Sequence, residues 1–341
     1  MKVRMTAIGA VLALVAATAL VVSAAGSASR SQEFKMAIST DIGKLQDRSF
    51  NQLANTGRIK VGKQLGIPTR VYVTKSEAQR VPNLLAASRA GYNLIFAVGF
   101  LNYTALNAVA PRFPNLQFAG IDEAYALFDK KPKNATGIVF AEHEAGYLVG
   151  YLAGLTIKRQ GGPQIISAVG ANNVPAIVKF ISGYIQGAKR ANPKMKVLVG
   201  YANDLTFNDQ AKCKEVALGQ IQQGTRAIFQ VAGGCGLGAL QAAKEAGNVW
   251  GIGVDADQLY LGPFMLTSAL KRVNVAVVDL SKLAYAGNLS VQRDYLYSLK
   301  NNGVGLGSVN KKVPKKFVER TVAIGKLVAS GRIVVKTNVK S

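Results

Sequence analysis

Short apolar runs alternate with longer amphipathic segments along most of the chain. The run at 94–98, Leu-Ile-Phe-Ala-Val, is apolar without a break, which is typical of a strand buried on both faces of a parallel sheet. The segment at 175–191 instead places apolar residues three or four positions apart, at Val178, Ile181 and Ile185, which predicts an amphipathic helix. Alternation of these two kinds of element predicts an α/β fold with doubly wound sheets.

The alternation runs through the chain twice. The first series predicts strands at 34–40, 69–73, 94–98, 116–121 and 136–140, with helices at 53–65, 77–90 and 101–110. The second series predicts strands at 164–169, 196–201, 227–231 and 250–254, with helices at 142–157, 175–191, 210–222, 238–246 and 274–286. Two such series predict two similar lobes, and the loops at the strand ends of both lobes should line a cleft between them.

The loop between the first predicted strand and the first predicted helix carries side chains that suit a small polar ligand. Phe50 can stack on a flat ring, and Asp41, Asp47 and Asn51 offer hydrogen-bonding groups. On the local sequence alone, an ordinary turn in which Asp47 or Ser49 caps the helix remains the alternative.

Loops at the corresponding strand ends carry similar chemistry, which favours a binding site over a series of ordinary turns. The further candidates that follow strand ends are Asp122, Phe207, Gly233 with Gly234, and Asp255. Lys271 precedes the helix predicted at 274–286, where it either lies on the surface or reaches the cleft and pairs with Asp255 or a ligand hydroxyl.

The chain is strongly basic, with 42 Lys and Arg against 18 Asp and Glu and a formal net charge of +24. Such a balance raises the question of a nucleic acid or an anionic surface as partner. The charge is spread thinly, and it thickens only near the C-terminus, between Lys311 and Arg320. Because no zinc-finger spacing or RNA-binding aromatic pattern occurs, we expect adhesion to an acidic cell surface and no nucleic-acid partner.

The first 28 residues predict an export signal. Lys2 and Arg4 precede an uncharged run at 5–25, and small residues follow it. The run is nearly long enough to span a bilayer, so an uncleaved anchor is the alternative. No cysteine lies in or just after the run, so we expect no lipid on an N-terminal cysteine. The protein is expected in the periplasm or on the outer face of the cytoplasmic membrane.

Cysteine and histidine are too scarce for most catalytic and metal sites. The two cysteines, Cys213 and Cys235, predict a disulfide in an exported protein, with two unpaired buried thiols as the alternative. His143 is the only histidine, and no His/Cys cluster offers a transition-metal site. We therefore expect neither an enzyme nor a metal or cofactor.

Five stretches of the sequence occur together, in this order, in one known family. They are the Asp-Ile-Gly…Asp-Arg-Ser-Phe-Asn-Gln loop at 41–52, the glycine-rich helix at 144–154, Phe-Gln-Val-Ala-Gly-Gly-Cys-Gly-Leu-Gly at 229–238, Gly-Val-Asp-Ala-Asp-Gln at 253–258 and Thr-Ser-Ala-Leu-Lys at 267–271. They resemble the basic membrane protein family of ABC transporter substrate-binding proteins, which is similar to the purine nucleoside receptor. The resemblance covers 34 to about 335.

The resemblance implies a type I periplasmic-binding-protein fold, in which three crossover segments join two doubly wound, Rossmann-like lobes. It implies a first lobe at 34–140 plus 269–300 and a second at 141–268 plus 301–341, with a final helix at 314–330. It also implies a monomeric receptor that binds a nucleoside, with purine favoured, and delivers it to ABC permease subunits. A receptor for another solute such as a sugar, or an extracytoplasmic sensor, remains the alternative.

The resemblance also implies roles for the candidate residues. Phe50 and Phe207 would stack on the base, and Asp122 would meet its polar edge with assistance from Asp41 and Asn51. The remaining candidates would hold the ribose, namely Asp255, Lys271 and the backbone of Gly233 and Gly234.

Overall fold

Residues 33–339 are described by a computed structural model, and the predicted export signal at 1–28 lies outside them. The strands are β1 Met36–Ile42, β2 Thr69–Thr74, β3 Leu94–Val98, β4 Gln117–Ile121, β5 Ala135–Phe140, β6 Ile165–Gly170, β7 Lys196–Tyr201, β8 Ala227–Val231, β9 Trp250–Asp255, β10 Met265–Lys271, β11 Asp294–Tyr297 and β12 Val304–Leu306. The α-helices are α1 Phe50–Leu65, α2 Arg80–Arg89, α3 Tyr103–Val109, α4 Glu142–Gln160, α5 Pro175–Ala191, α6 Gln210–Gln222, α7 Gly236–Ala246, α8 Val273–Tyr285 and α9 Lys315–Ala329.

The strands form two sheets of six. The first has the order β11-β5-β4-β3-β1-β2, and the second has the order β12-β10-β9-β8-β6-β7. Neighbouring strands are parallel except for β12, which runs antiparallel to β10. Buried apolar residues dominate the central strands. Strand β3 is buried along its whole length, as its unbroken apolar run predicts, and β8 is buried throughout although it carries Gln230.

The chain passes between the sheets three times. It leaves the first sheet after β5, returns after β10 so that α8 packs on α1, and crosses again between β11 and β12. The repeated rhythm of the sequence predicts two lobes that follow one another, and that simple order is wrong. Strand β10 continues in the second sheet to Lys271, and the lobe boundaries implied by the resemblance stay a prediction.

Helices α4 and α5 touch through their backbones. A Cβ atom at Gly146 would lie 2.1 Å from the carbonyl oxygen of Phe180, and one at Gly183 would lie 1.9 Å from that of His143. No side chain fits at such distances, so glycine is required at both positions. The glycines of both helices therefore allow α4 and α5 to pack closely.

Cys213 and Cys235 form a disulfide, which confirms the predicted pairing. Among the described residues, no helix combines the length and the apolar character needed to cross a bilayer.

Candidate ligand-binding cleft

Loops from both sheets enclose a cavity of about 720 Å³, counting the part that is open to solvent. The candidate residues that line it are Asp41, Asp47, Phe50, Asn51, Asp122, Phe207, Gly233, Asp255 and Lys271. Gly234 does not line the cavity; it lies behind Phe207, where an added Cβ would come within 3.2 Å of the Phe207 carbonyl oxygen. The structure thus brings together all but one of the residues that the strand-end loops single out.

Three of these residues have an unusual backbone conformation. Asp122 directly follows β4, Asp255 ends β9, and Phe207 lies in the loop after β7. Their φ angles are 68°, 62° and 54°, in the left-handed region that residues with a Cβ seldom occupy. Each such residue costs on the order of 1–3 kcal/mol, and such strain clusters at functional sites.

The capping of α1 explains why Phe50 faces the cavity. The Asp47 carboxylate accepts hydrogen bonds from the backbone N–H groups of Ser49 and Asn51, each at 2.8 Å, and of Gln52 at 3.1 Å. These are donors that a helix start leaves unpaired. Asp47 therefore has the capping role that the sequence offered as an alternative to binding, and Phe50, at the first position of α1, lines the cavity.

Asp41, at the end of β1, is held on several sides. Its Oδ1 accepts from the Ile42 amide at 2.8 Å and lies 3.4 Å from Nη2 of Arg80. Its own amide donates to Oδ1 of Asn51 at 3.2 Å. Burial raises the pKa of Asp41 to about 6, although the Arg80 guanidinium favours the charged form.

Lys271 is almost fully buried at the centre of an ion-pair cluster. Its Nζ lies 2.6 Å from a carboxylate oxygen of Asp122 and 3.0 Å from Oε1 of Glu142. Burial lowers the pKa of Lys271, but the charges of Asp122, Glu142 and Asp255 outweigh that effect and raise it, so the ammonium stays charged. The surface position considered for this lysine is wrong.

The ammonium of Lys271 also lies over two aromatic rings. It is 5.0 Å from the ring centre of Phe50 and 4.9 Å from that of Phe140, within the range of a cation–π interaction. Phe50, predicted to stack on the base, and Lys271, predicted to hold the ribose, are therefore direct neighbours. The expected hydrogen bond from Lys271 to Asp255 is replaced by bonds to Asp122 and Glu142.

Asp255 instead bonds across the cleft. Its Oδ2 accepts from Oγ of Ser49 at 2.5 Å, and close by, Nε2 of Gln258 donates to the carbonyl oxygen of Arg48 at 3.1 Å. Burial raises the pKa of Asp255 to about 7, although Lys271 and the Ser49 hydroxyl favour its charged form. These two contacts tie the start of α1 to the loop after β9.

The expectation that ligand-binding residues follow strand ends overlooks part of the cavity lining. The start of α5 contributes an apolar wall formed by Val174, Ala176, Ile177 and Phe180. It also missed Glu142, the first residue of α4, since an acid at a helix start is ordinarily explained by the helix dipole. The positions of the α5 wall and of Glu142 depend on how helices pack after the chain crosses between sheets. The pattern of apolar and polar residues does not predict that packing.

Among residues 33–339, no group of three or more His, Cys, Asp or Glu side chains is placed to hold a metal ion. Buried carboxylates are nevertheless abundant around the cavity. Asp41, Asp122 and Asp255 line it, and Glu123 and Glu142 are each only 1% exposed. The cleft is therefore acidic although the chain as a whole is strongly basic.

Residues 34–339 match the model of a family described as "ABC transporter substrate-binding protein PnrA-like", named Bmp. The chain belongs to this family. The match confirms the resemblance to the basic membrane proteins, which bind substrates for ABC transporters outside the cytoplasm and are not enzymes.

Relatives of this PnrA-like protein cover most of its length. The "ABC transporter nucleoside-binding protein BmpA" of Lactococcus lactis subsp. cremoris is 34% identical, over 82% of each chain. An "uncharacterized lipoprotein" of Pyrococcus horikoshii is 33% identical, over 96% of this chain and 81% of its own.

A solved structure shares the architecture. The ABC transporter system solute-binding protein from Aeropyrum pernix K1 superposes with a TM-score of 0.80 at 26% identity, covering 90% of this chain and 94% of its own. Together with the three crossings between two six-stranded sheets, this confirms the type I periplasmic-binding-protein fold.

Proposed function

We propose that this PnrA-like protein binds a purine nucleoside in the cleft and delivers it to the permease of an ABC importer. The observation that carries the proposal is the pair Phe50 and Phe207, which follow strands of different sheets and line the same cavity. Stacking on aromatic side chains contributes roughly 1–3 kcal/mol per base. The Lactococcus relative, named as a nucleoside-binding protein, supports this choice of ligand.

Polar groups lie on either side of the two rings, as a nucleoside requires. Asp41, Asn51 and Asp122 would meet the polar edge of the base. Asp255 and Lys271 would hold the ribose hydroxyls, with the backbone of Gly233 and Gly234 nearby. Each neutral hydrogen bond contributes about 1 kcal/mol net, and a bond to a charged group contributes more.

The acidic character of the cleft favours an uncharged ligand. A phosphate group would have to enter among Asp41, Asp122 and Asp255, where like charges repel at low dielectric. A nucleoside carries the hydroxyls and ring nitrogens that carboxylates can bind without this repulsion. Nucleotides should therefore bind much more weakly than nucleosides.

We also propose that the protein acts as an exported monomer that closes about its crossover segments on binding. The bonds from Ser49 to Asp255 and from Gln258 to Arg48 are contacts that closure would make.

Although one relative is named a lipoprotein, both cysteines of this sequence are joined in the disulfide. The disulfide therefore supports the proposal that the protein is not attached to the membrane through a lipid on a cysteine.

The test is titration calorimetry of residues 33–341 with adenosine, guanosine, inosine, uridine, adenosine monophosphate, ribose and arabinose. We expect micromolar or tighter binding of the purine nucleosides, weaker binding of uridine and the nucleotide, and no heat from the sugars. Binding of ribose or arabinose as tight as that of adenosine would favour a sugar receptor. No binding of any nucleoside would refute the proposal.

A further inference from the structure

The disulfide between Cys213 and Cys235 lies directly behind one wall of the cleft. Cys213 is in the first turn of α6, Cys235 immediately precedes α7, and both side chains are fully buried. The loop that leads into α6 carries Phe207, and the loop that leads into α7 carries Gly233. The bond therefore joins the two elements whose preceding loops line this side of the cavity.

The two loops are packed backbone against backbone. The amide of Cys235 donates a hydrogen bond to the carbonyl oxygen of Phe207 at 2.9 Å. A Cβ atom at Gly234 would lie 3.2 Å from that same oxygen, and one at Gly233 would lie 3.5 Å from Cβ of Phe207. Phe207 thus rests on the residues that lead into the disulfide.

The backbone of Phe207 needs such support. Its φ of 54° is unfavourable for a residue with a Cβ, and strained residues persist only where their surroundings hold them. At the start of the loop, the Asp204 carboxylate accepts from the amides of Thr206, Asn208 and Asp209 at 2.7–2.9 Å. At its far end the loop enters α6. There the disulfide joins Cys213 to Cys235, whose amide donates the hydrogen bond to the Phe207 carbonyl oxygen.

We propose that the Cys213–Cys235 disulfide is a positioning element of the binding site, which keeps Phe207 in place as one wall for the base. With respect to the ligand, this inference rests on the proposed function. An aromatic ring that is already in place spares the ligand the cost of ordering it, so the disulfide strengthens binding as well as the fold. A disulfide that served only the fold would leave the affinity of the folded protein unchanged.

The first test compares the intact protein with the double variant Cys213→Ala/Cys235→Ala, below the melting temperatures of both. We expect amide hydrogen exchange at 204–209 to be at least tenfold faster in the variant, with β3 in the other sheet unchanged. Adenosine should bind five- to fiftyfold more weakly. The matched control is Leu84→Ala, a fully buried change in the core beside the first sheet, which should lower stability and leave affinity within twofold.

A double-mutant cycle separates positioning from a general loss of stability. In the background Phe207→Ala, loss of the disulfide should weaken adenosine binding by less than twofold, because the ring that it positions is already absent. An equal loss of affinity with and without the Phe207 ring would overturn the inference.

Two further readouts keep the inference testable if the double variant does not fold or if nucleosides do not bind. Saturating adenosine should lower the equilibrium constant for reduction of the disulfide by dithiothreitol. The factor should equal the ratio of the adenosine affinities of the oxidised and the reduced protein. Equal reduction with and without bound adenosine would overturn the inference. If no nucleoside binds, the proposed function fails, and exchange at 204–209 in the reduced protein decides: faster exchange supports positioning, and unchanged exchange overturns it.

Discussion

Asp255 combines three uncommon properties in one residue: a left-handed backbone, nearly complete burial and a hydrogen bond that crosses the cleft. Its counterpart Asp122 also has a left-handed backbone after a strand end, and it is paired with Lys271. The two aspartates thus have different partners: Asp255 accepts from the neutral hydroxyl of Ser49, and Asp122 pairs with the Lys271 ammonium. This difference suits Asp255 better for accepting ligand hydroxyls.

At pH 8, where Asp255 is mostly charged, replacing it by asparagine should weaken adenosine binding by more than tenfold, because the amide is a poorer acceptor for ribose hydroxyls than a carboxylate. Tenfold corresponds to about 1.4 kcal/mol. The matched control is Asp257→Asn, two residues further on and outside the cavity lining. Calorimetry measures both; equal affinity of Asp255→Asn and the intact protein would argue against the ribose role.

The same substitution should change how stability depends on pH. Because burial raises the pKa of Asp255 from 3.8 to about 7, the folded state holds a proton that the unfolded chain releases near pH 4. The folded state therefore loses stability as pH rises from about 4 to 7, by up to about 4 kcal/mol from this residue. Asp41, with a pKa raised to about 6, acts in the same direction.

Asp255→Asn lacks this titration, so its free energy of unfolding relative to the intact protein should be higher at pH 8 than at pH 5. Urea denaturation at the two pH values measures the difference. A difference between the two proteins that does not vary with pH would contradict the assignment of a raised pKa to this residue.

At the scale of elements, the backbone contacts between α4 and α5 fix one apolar wall of the cleft. Phe180 links the two roles, since its carbonyl oxygen faces Gly146 and its side chain lines the cavity. The position of that wall is therefore set by glycines that do not touch the cavity.

Gly183→Ala should lower the free energy of unfolding by about 1–3 kcal/mol, because the added methyl group would meet the His143 carbonyl oxygen at 1.9 Å. The matched control is Gly219→Ala in α6, where an added Cβ meets nothing within 4 Å and alanine favours the helix by roughly 0.5–1 kcal/mol. Chemical denaturation compares them. Equal effects at the two glycines would contradict the close packing of α4 on α5.

The elements divide clearly into those that the sequence predicts and those that it does not. Predicted and observed bounds coincide for β7, β8, α5 and α6, whose apolar patterns are bounded by polar or turn residues. Strands β11 and β12 have only four and three residues, too few to show a periodic pattern, so only their long-range pairing defines them. The interleaving of the lobes follows from that pairing, and only the family resemblance indicates it.

The same limit applies to the site. The rule that ligands meet the carboxyl ends of strands predicts the residues that follow β1, β4, β7, β8 and β9. It has no bearing on the bond of Lys271 to Glu142 or on the apolar wall from α5, because those contacts arise between elements far apart in sequence.

At the scale of the whole molecule, a basic exterior surrounds an acidic cleft. Among residues 33–339, buried carboxylates outnumber buried Lys and Arg side chains, so the solvent-facing surface of this part of the chain is more basic than its composition alone indicates. Such a surface attracts anionic membranes over distances set by the salt concentration. We therefore expect the surface charge to determine adhesion to anionic surfaces, and the cleft to determine the choice of ligand.

Residues 33–341 should bind vesicles that contain anionic lipid at 20 mM NaCl and be released at about 0.5 M NaCl, where screening confines the attraction to a few ångströms. Neutral vesicles of the same size serve as the control. Co-sedimentation measures bound protein. Binding to neutral vesicles, or binding that salt does not release, would show that the attraction is not electrostatic.

The central claim, that a purine nucleoside lies between the two sheets with its base between Phe50 and Phe207, is tested most directly by a crystal structure of the protein with adenosine. We predict both rings within stacking distance of the base, and ribose hydroxyls within hydrogen-bond distance of Asp255. Adenosine bound elsewhere on the protein, or in the cleft with its base away from both rings, would contradict the account.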